Sequence, residues 1–275
     1  MVKPSARRQP TFQEPVVLLH NPGFLAGIDS NFFDDIFMKA NQWANSDLPP
    51  QGMFLEVIRG MVDVVQLASQ MPYYRLGVIM LHPATYVQTL YQLARVTVTH
   101  PLHVFASNHS LDDFAQSDDV AALTTNPFTR ALSGQINGEI SLKAAQQRLH
   151  RAEYIALAEQ QIDALIMLMY WLDEGSQWDR ILSLPDSPAL ALSDAAHAAI
   201  LARNPLDSVL YEDATALYNA HHRSMVIESL TSNHSNKEKI RQLELQIQRL
   251  KSELGHQAKT NARRAQLIRD FIRKT

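Results

Sequence analysis

The sequence predicts an α/β fold with a mostly parallel sheet, and three observations carry that expectation. Short apolar runs alternate with amphipathic stretches at helical spacing, the order of successive strand–helix units. The strand-like runs are apolar throughout rather than alternating, as in a sheet covered on both faces. At 275 residues with a hydrophobic fraction of 46%, the chain has enough length and apolar content for one domain of about 200–250 residues plus an appendage.

The elements follow in order. Pro15 to His20 is an apolar run bounded by proline, the pattern of a buried parallel strand. Asp29 and Ser30 are placed to cap a helix carrying Phe32, Phe33, Ile36 and Phe37 at three-to-four spacing. Met53 to Ile58 reads as a second strand and Val62 to Met71 as a helix. Leu76 to Leu81 reads as a third strand, and Pro83 to Thr99 as a long helix with proline in its first turn. Ser110 with Asp112 and Asp113 opens a short helix. Ser141 to Arg151 is an amphipathic helix with Leu142, Ala145 and Leu149 on one side. Tyr154 to Leu157 reads as a fourth strand, followed by a helix over Gln161 to Leu172. Past a bend at Pro185 and Pro188, helices are expected near Ser193 to Arg203 and Asp207 to His222. No internal repeat is evident.

Composition changes sharply near Asn233. Residues 236–275 hold 11 Lys+Arg against 4 Asp+Glu, which leaves 14 against 24 in the rest of the chain. The polar run Thr231 to Asn236 reads as a linker. Beyond it Ile240, Leu243, Ile247, Leu250 and Leu254 follow the a/d seam of a coiled coil, and Ile at a with Leu at d favours a parallel dimer. The competing reading is a long helix packed on its own domain. The organisation expected is therefore residues 1–14 as a flexible start, 15–230 as the α/β domain, 231–236 as linker and 237–275 as a basic helix.

Several chemistries are excluded or disfavoured. The chain has no cysteine, so it has neither a disulfide framework nor a thiolate site. Met1 to Gln13 lacks an apolar h-region, and no run approaches the roughly 20 apolar residues of a membrane span, so a cytoplasmic location is expected. Eleven histidines include His100, His103 and His109 in one region and the adjacent His221 and His222, but none has the spacing of a metal site, and no metal is expected. There is no Gly-x-Ser-x-Gly elbow and no Rossmann or Walker glycine pattern. The basic C-terminal segment has Phe271 as its one aromatic residue, which argues against a nucleic-acid partner.

Thr125-Asn126-Pro127-Phe128-Thr129-Arg130-Ala131-Leu132-Ser133-Gly134, followed later by Asn204-Pro205-Leu206-Asp207-Ser208-Val209-Leu210-Tyr211, is the most distinctive pattern in the chain. With the strand and helix order around it, over roughly Pro15 to Arg223, it resembles the carbohydrate sulfotransferase family. That family transfers sulfate from 3′-phosphoadenosine 5′-phosphosulfate (PAPS) to sugar hydroxyls. The resemblance implies a P-loop-type sulfotransferase-like fold.

The same comparison shows the family's chemistry positions replaced. The phosphate loop His-x-Pro-Lys-x-Gly-Gly-Thr is matched by His20-Asn21-Pro22-Gly23-Phe24-Leu25-Ala26-Gly27, with Gly23 where the lysine stands. The strand-ending Arg-Gly-His, whose histidine is the general base, is matched by Arg59-Gly60-Met61, and methionine accepts no proton. The 3′-phosphate motif is matched by Met80 to Tyr91, with Leu81 and Tyr86 at its two arginine positions and Thr89 keeping a hydroxyl.

The leading expectation is thus a degenerate, non-catalytic family member that binds or organises partners and needs no cofactor. It would form a homo-oligomer through its C-terminal helix, with a protein or an anionic carbohydrate as the other partner. The alternative is an active PAPS-dependent carbohydrate O-sulfotransferase with a rebuilt site. In that reading His82 and Arg130 are the catalytic candidates, and His20, Thr89 and Arg130 the cofactor-binding ones.

Overall fold

The computed structural model describes residues 15–21, 23–24, 42–44, 49, 56–134, 140–172, 181 and 190–228. The expected helix after Asp29, the bend at Pro185 and Pro188, the linker and the Ile240–Leu254 seam lie outside these residues. The chain divides into two compact units, Met1–His222 and Arg223–Thr275.

The first unit is α/β, with a five-stranded sheet in the order β2-β3-β1-β4-β5. Its strands are β1 Val16–Leu19, β2 Gln42–Ala44, β3 Val57–Gly60, β4 Arg75–Met80 and β5 Tyr154–Leu157, and every pairing is parallel. β1 lies between β3 and β4, with Leu19 opposite both Gly60 and Val78. Val17, Leu18, Leu19, Ile58, Val78, Ile79 and Met80 are fully buried, as unbroken apolar strands in a covered sheet should be. The three-residue β2 was not expected from the sequence, where its short run has too few residues to show a period.

The helices are α1 Val64–Gln70, α2 Pro83–Val96, α3 His103–Asn108, α4 Leu111–Gln116, α5 Ala121–Thr124, α6 Pro127–Ser133, α7 Leu142–Leu149, α8 Gln161–Leu172 and α9 Asp194–Arg203. Residues 205–222 are helical (α10), as are 223–228 in the second unit. Their starts are set by local chemistry. Asp63 caps α1 by accepting from the amides of Val65 and Gln66, so the helix opens two residues later than Val62. Ser110, Ser141 and Ser193 cap α4, α7 and α9 in the same way. α2 stops at Val96, short of the expected Thr99, because Thr97 is extended.

α6 ends on Gly134, at φ +82°, and packs against α1 so closely that a Cβ there would lie 2.2 Å from Cβ of Val65. Both the left-handed backbone and the missing side chain are required. Gly134→Ala is expected to destabilise the domain by at least about 2 kcal/mol, from left-handed strain and overpacking together. An unchanged urea midpoint would remove the claim.

Candidate functional site

In an open parallel sheet, ligands bind outside the carboxyl ends of the strands, where connections leave neighbouring strands in opposite directions. Here the chain leaves β1 toward β2 at one edge and leaves β4 toward β5 at the other, while β1 and β4 are neighbours. The crevice position is therefore defined by the residues following Leu19 and Met80. His20, Asn21, Gly23, Leu81 and His82 occupy it, with Met61 and Glu159 following the flanking strands.

Beyond β1 the backbone is drawn onto α2. The Asn21 side-chain amide donates to the Thr89 hydroxyl at 3.0 Å and to the Tyr86 carbonyl at 3.4 Å. Asn21 Oδ1 accepts from the Gly23 amide at 2.7 Å, and the Thr89 hydroxyl donates to the Tyr86 carbonyl. A Cβ on Gly23 would stand 2.6 Å from the Thr89 carbonyl oxygen. Asn21 is fully buried. A glycine is thus needed at position 23 for contact with α2, and the Thr89 hydroxyl is engaged on both its donor and acceptor sides.

His20 is also interior, 2% exposed. Its Nδ1 lies 2.9 Å from the Asn21 carbonyl, which only accepts, so Nδ1 carries the proton. Burial lowers its pKa from 6.5 to about 4, against the opposing effect of that hydrogen bond and with a smaller push from Arg59. Its side chain is packed in the core and does not line an open surface. Leu81 is 1% exposed, and Tyr86 packs edge-on against Phe128, its hydroxyl pKa pushed up by burial and then by Asp207. Leu81 and Tyr86 both point into the hydrophobic core.

No protein-family model matches the chain, and a search of curated proteins returns no match. Its reading therefore rests on its own residues.

His82, the catalytic candidate past β4, caps α2: its Nδ1 accepts from the Ala84 amide at 3.3 Å. That bond uses the Nδ1 lone pair and leaves the neutral ring's proton on Nε2, so His82 is arranged as a donor and not as a base. The ring stacks on His197 at 6.0 Å and meets Tyr211 edge-on at 5.3 Å. Glu159 accepts from the His82 backbone amide at 2.8 Å and from the Tyr211 hydroxyl at 3.0 Å. Burial lowers the His82 pKa, Glu159 opposes that and His197 adds to it. Burial and Glu159 both raise that of Tyr211.

Arg130 lies elsewhere in the fold, on α6. Its guanidinium donates to the Ala122 carbonyl of α5 at 3.2 Å, and among the described residues its buried Nε has no hydrogen-bond partner. The distinctive Asn126–Gly134 and Asn204–Tyr211 stretches prove to be two halves of one clasp. Asn126 is left-handed at φ 46°, and its Oδ1 accepts from the amides of Leu206 and Asp207, capping α10. In return Asp207 accepts from the Phe128 amide at 3.0 Å, the Thr129 amide at 2.7 Å and the Thr129 hydroxyl at 2.6 Å, capping α6. Asn204 Oδ1 accepts from the Asn126 amide at 2.6 Å. Asn126, Thr129, Asn204 and Asp207 are all buried. Burial pushes the Asp207 carboxyl pKa up, opposed by these donors and by Arg130.

Four sequence candidates are thus distributed over three settings: His20 and Thr89 in the β1–α2 contact, His82 in a ring cluster, and Arg130 on α6. Glu159, His197 and Tyr211 were not singled out as site residues. Glu159 carried a usable signal, a charge two residues past an apolar strand, but His197 carried none. Among the described residues no group of three or more histidine, aspartate or glutamate side chains is placed to hold a metal. Nor does any described helix have the length and apolarity to cross a membrane.

Proposed function

We propose that this chain is a sulfotransferase-like protein of P-loop type that has lost cofactor binding and catalysis and acts as a binding or assembly protein. The observation that carries the reading is the closed β1–α2 contact. Asn21 bridges to Thr89, Gly23 lies against the Thr89 carbonyl, and Leu81 and Tyr86 are buried at the positions where cations would be needed. Anion binding at such a loop depends on free backbone amides and a nearby positive charge. Here the Gly23 amide is already bonded to Asn21, and the matched lysine and arginines are absent. Two lost charge-assisted contacts of ~1.5–3 kcal/mol each weaken a nucleotide by orders of magnitude. The matched base position holds Met61, and His82 is committed to its helix cap.

Calorimetric titration of the full chain with adenosine 3′,5′-bisphosphate is expected to show no heat of binding and no thermal shift. A micromolar, salt-sensitive affinity would overturn the reading. It would favour an active PAPS-dependent carbohydrate O-sulfotransferase with a rebuilt site, with Arg130 as the first cation to substitute.

The assembly part of the proposal rests on the Ile240, Leu243, Ile247, Leu250 and Leu254 repeat, which we read as a homo-oligomeric seam. Ending the chain at Asn233 is expected to lower the number of chains per particle measured by light scattering. An unchanged oligomeric state would rule the seam out.

A further inference from the structure

We propose that the groove between α7 and α10 receives an acidic peptide segment of a partner protein. The inference deepens the binding-protein reading above and rests on it. Lys143, Gln146, Gln147, His150, Arg151 and Asp213 line the groove. Lys143, Gln146 and Gln147 follow the i, i+3, i+4 spacing that sets side chains on one face of α7, and His150 and Arg151 follow in the turn after its end. The opposite face of α7 is spoken for, because Ala145 and Leu149 are fully buried. Asp213 supplies the far wall and is fixed by the Gln146 side-chain amide at 2.7 Å.

Charge sets the class of ligand. Lysine and arginine face one carboxylate here, within a part of the chain where acidic residues outnumber basic ones by 24 to 14. A patch whose sign opposes that of its surroundings draws acidic groups and repels basic ones. Lys143 lies in the first turn of α7 and Arg151 in the turn after its end, with the amides of Gln146 and Gln147 between them in the chain. That separation suits an extended chain with carboxylates at intervals. Gln147 and Asp213 offer the donor and acceptor that a peptide backbone requires.

Other ligands fit less well. Among the described residues no phenylalanine, tyrosine or tryptophan lines the groove, so unpaired bases lack a large ring platform. Small-molecule sites enclose most of their ligand and are lined mostly by apolar side chains, whereas every residue lining this groove is polar or charged.

The test uses the full chain and a fluorescein-labelled hexaglutamate peptide, followed by anisotropy at low ionic strength. Saturable binding is expected, weakened at least about tenfold by Lys143→Glu with Arg151→Glu and less by the neutral pair Lys143→Gln with Arg151→Gln. The matched control, Lys251→Glu with Lys259→Glu, changes the same charge in the basic C-terminal segment and should move the affinity by less than about twofold. Absence of binding, or a loss that follows the C-terminal pair, overturns the proposal. So does equal competition by an oligothymidylate or a sulfated disaccharide, which would make the groove a general anion site. Nucleotide titration is read separately, so failure of the non-catalytic reading and failure of the groove remain distinguishable.

Discussion

Asp207→Ala should destabilise the first unit by about 3–5 kcal/mol, the largest effect expected of any single substitution at the residues described above. Asp207 accepts three buried hydrogen bonds, from the amides of Phe128 and Thr129 and from the Thr129 hydroxyl. Each buried donor left without a partner costs ~1–3 kcal/mol. The total is reduced because the variant no longer has to desolvate a carboxylate that is 2% exposed. Asp207→Asn should recover part of the loss, because its Oδ1 can keep both Thr129 donors while its NH₂ group faces the Phe128 N–H. Asn126→Ala removes the acceptor for the amides of Leu206 and Asp207 and a residue type that tolerates φ 46°, so it should cost about 2–3 kcal/mol. The two sites share one network, so the double variant should lose less than the sum. Urea midpoints at neutral pH measure all three. Strict additivity would mean that the two halves of the clasp are energetically independent.

The second large effect is acid sensitivity caused by His20. Its pKa is about 4 in the folded protein and 6.5 in the exposed chain, so the unfolded state binds the proton first as pH falls. Above pH 6.5 both states are neutral and His20 contributes no pH dependence. Between pH 6.5 and about 4 stability is lost progressively, and below 4 the loss is complete. At ~1.4 kcal/mol per pH unit the loss reaches about 3 kcal/mol. Many carboxylates titrate over the lower part of this range, so the informative quantity is the difference between wild type and His20→Gln. The two stability–pH curves should diverge in slope between pH 6.5 and 4 and run parallel above 7. Parallel curves over the whole range would show that the His20 ring is not buried as described.

Legibility from the sequence varied with the physics behind each element. β1, β4 and β5 were recognisable because their residues are apolar on both faces, α2, α7 and α9 because proline or a capping side chain marks their starts, and α8 because of its long apolar run. β3 was displaced, from Met53–Ile58 to Val57–Gly60, because Arg59 and Gly60 break the apolar run while their backbone stays in the sheet opposite Leu18 and Leu19. At the candidate site the uncharged side chains at Gly23, Met61, Leu81 and Tyr86 could be read directly. Their surroundings could not. Asn21 bridging to Thr89, and His82 stacking on His197 across more than a hundred residues, are contacts between distant segments with no local pattern.

By itself the sequence determined that this is an α/β protein, where most of its strands and helices begin, and which chemical groups its loops carry. Those properties follow from local period, capping and residue type. Only the tertiary structure decided what the Asn126–Gly134 and Asn204–Tyr211 stretches do. Each helix start leaves amides without partners, and the nearest acceptor for each is a side chain at the start of the other, about 80 positions away. Folding brings those two ends together, and the most distinctive pattern in the chain becomes the lock between two helices.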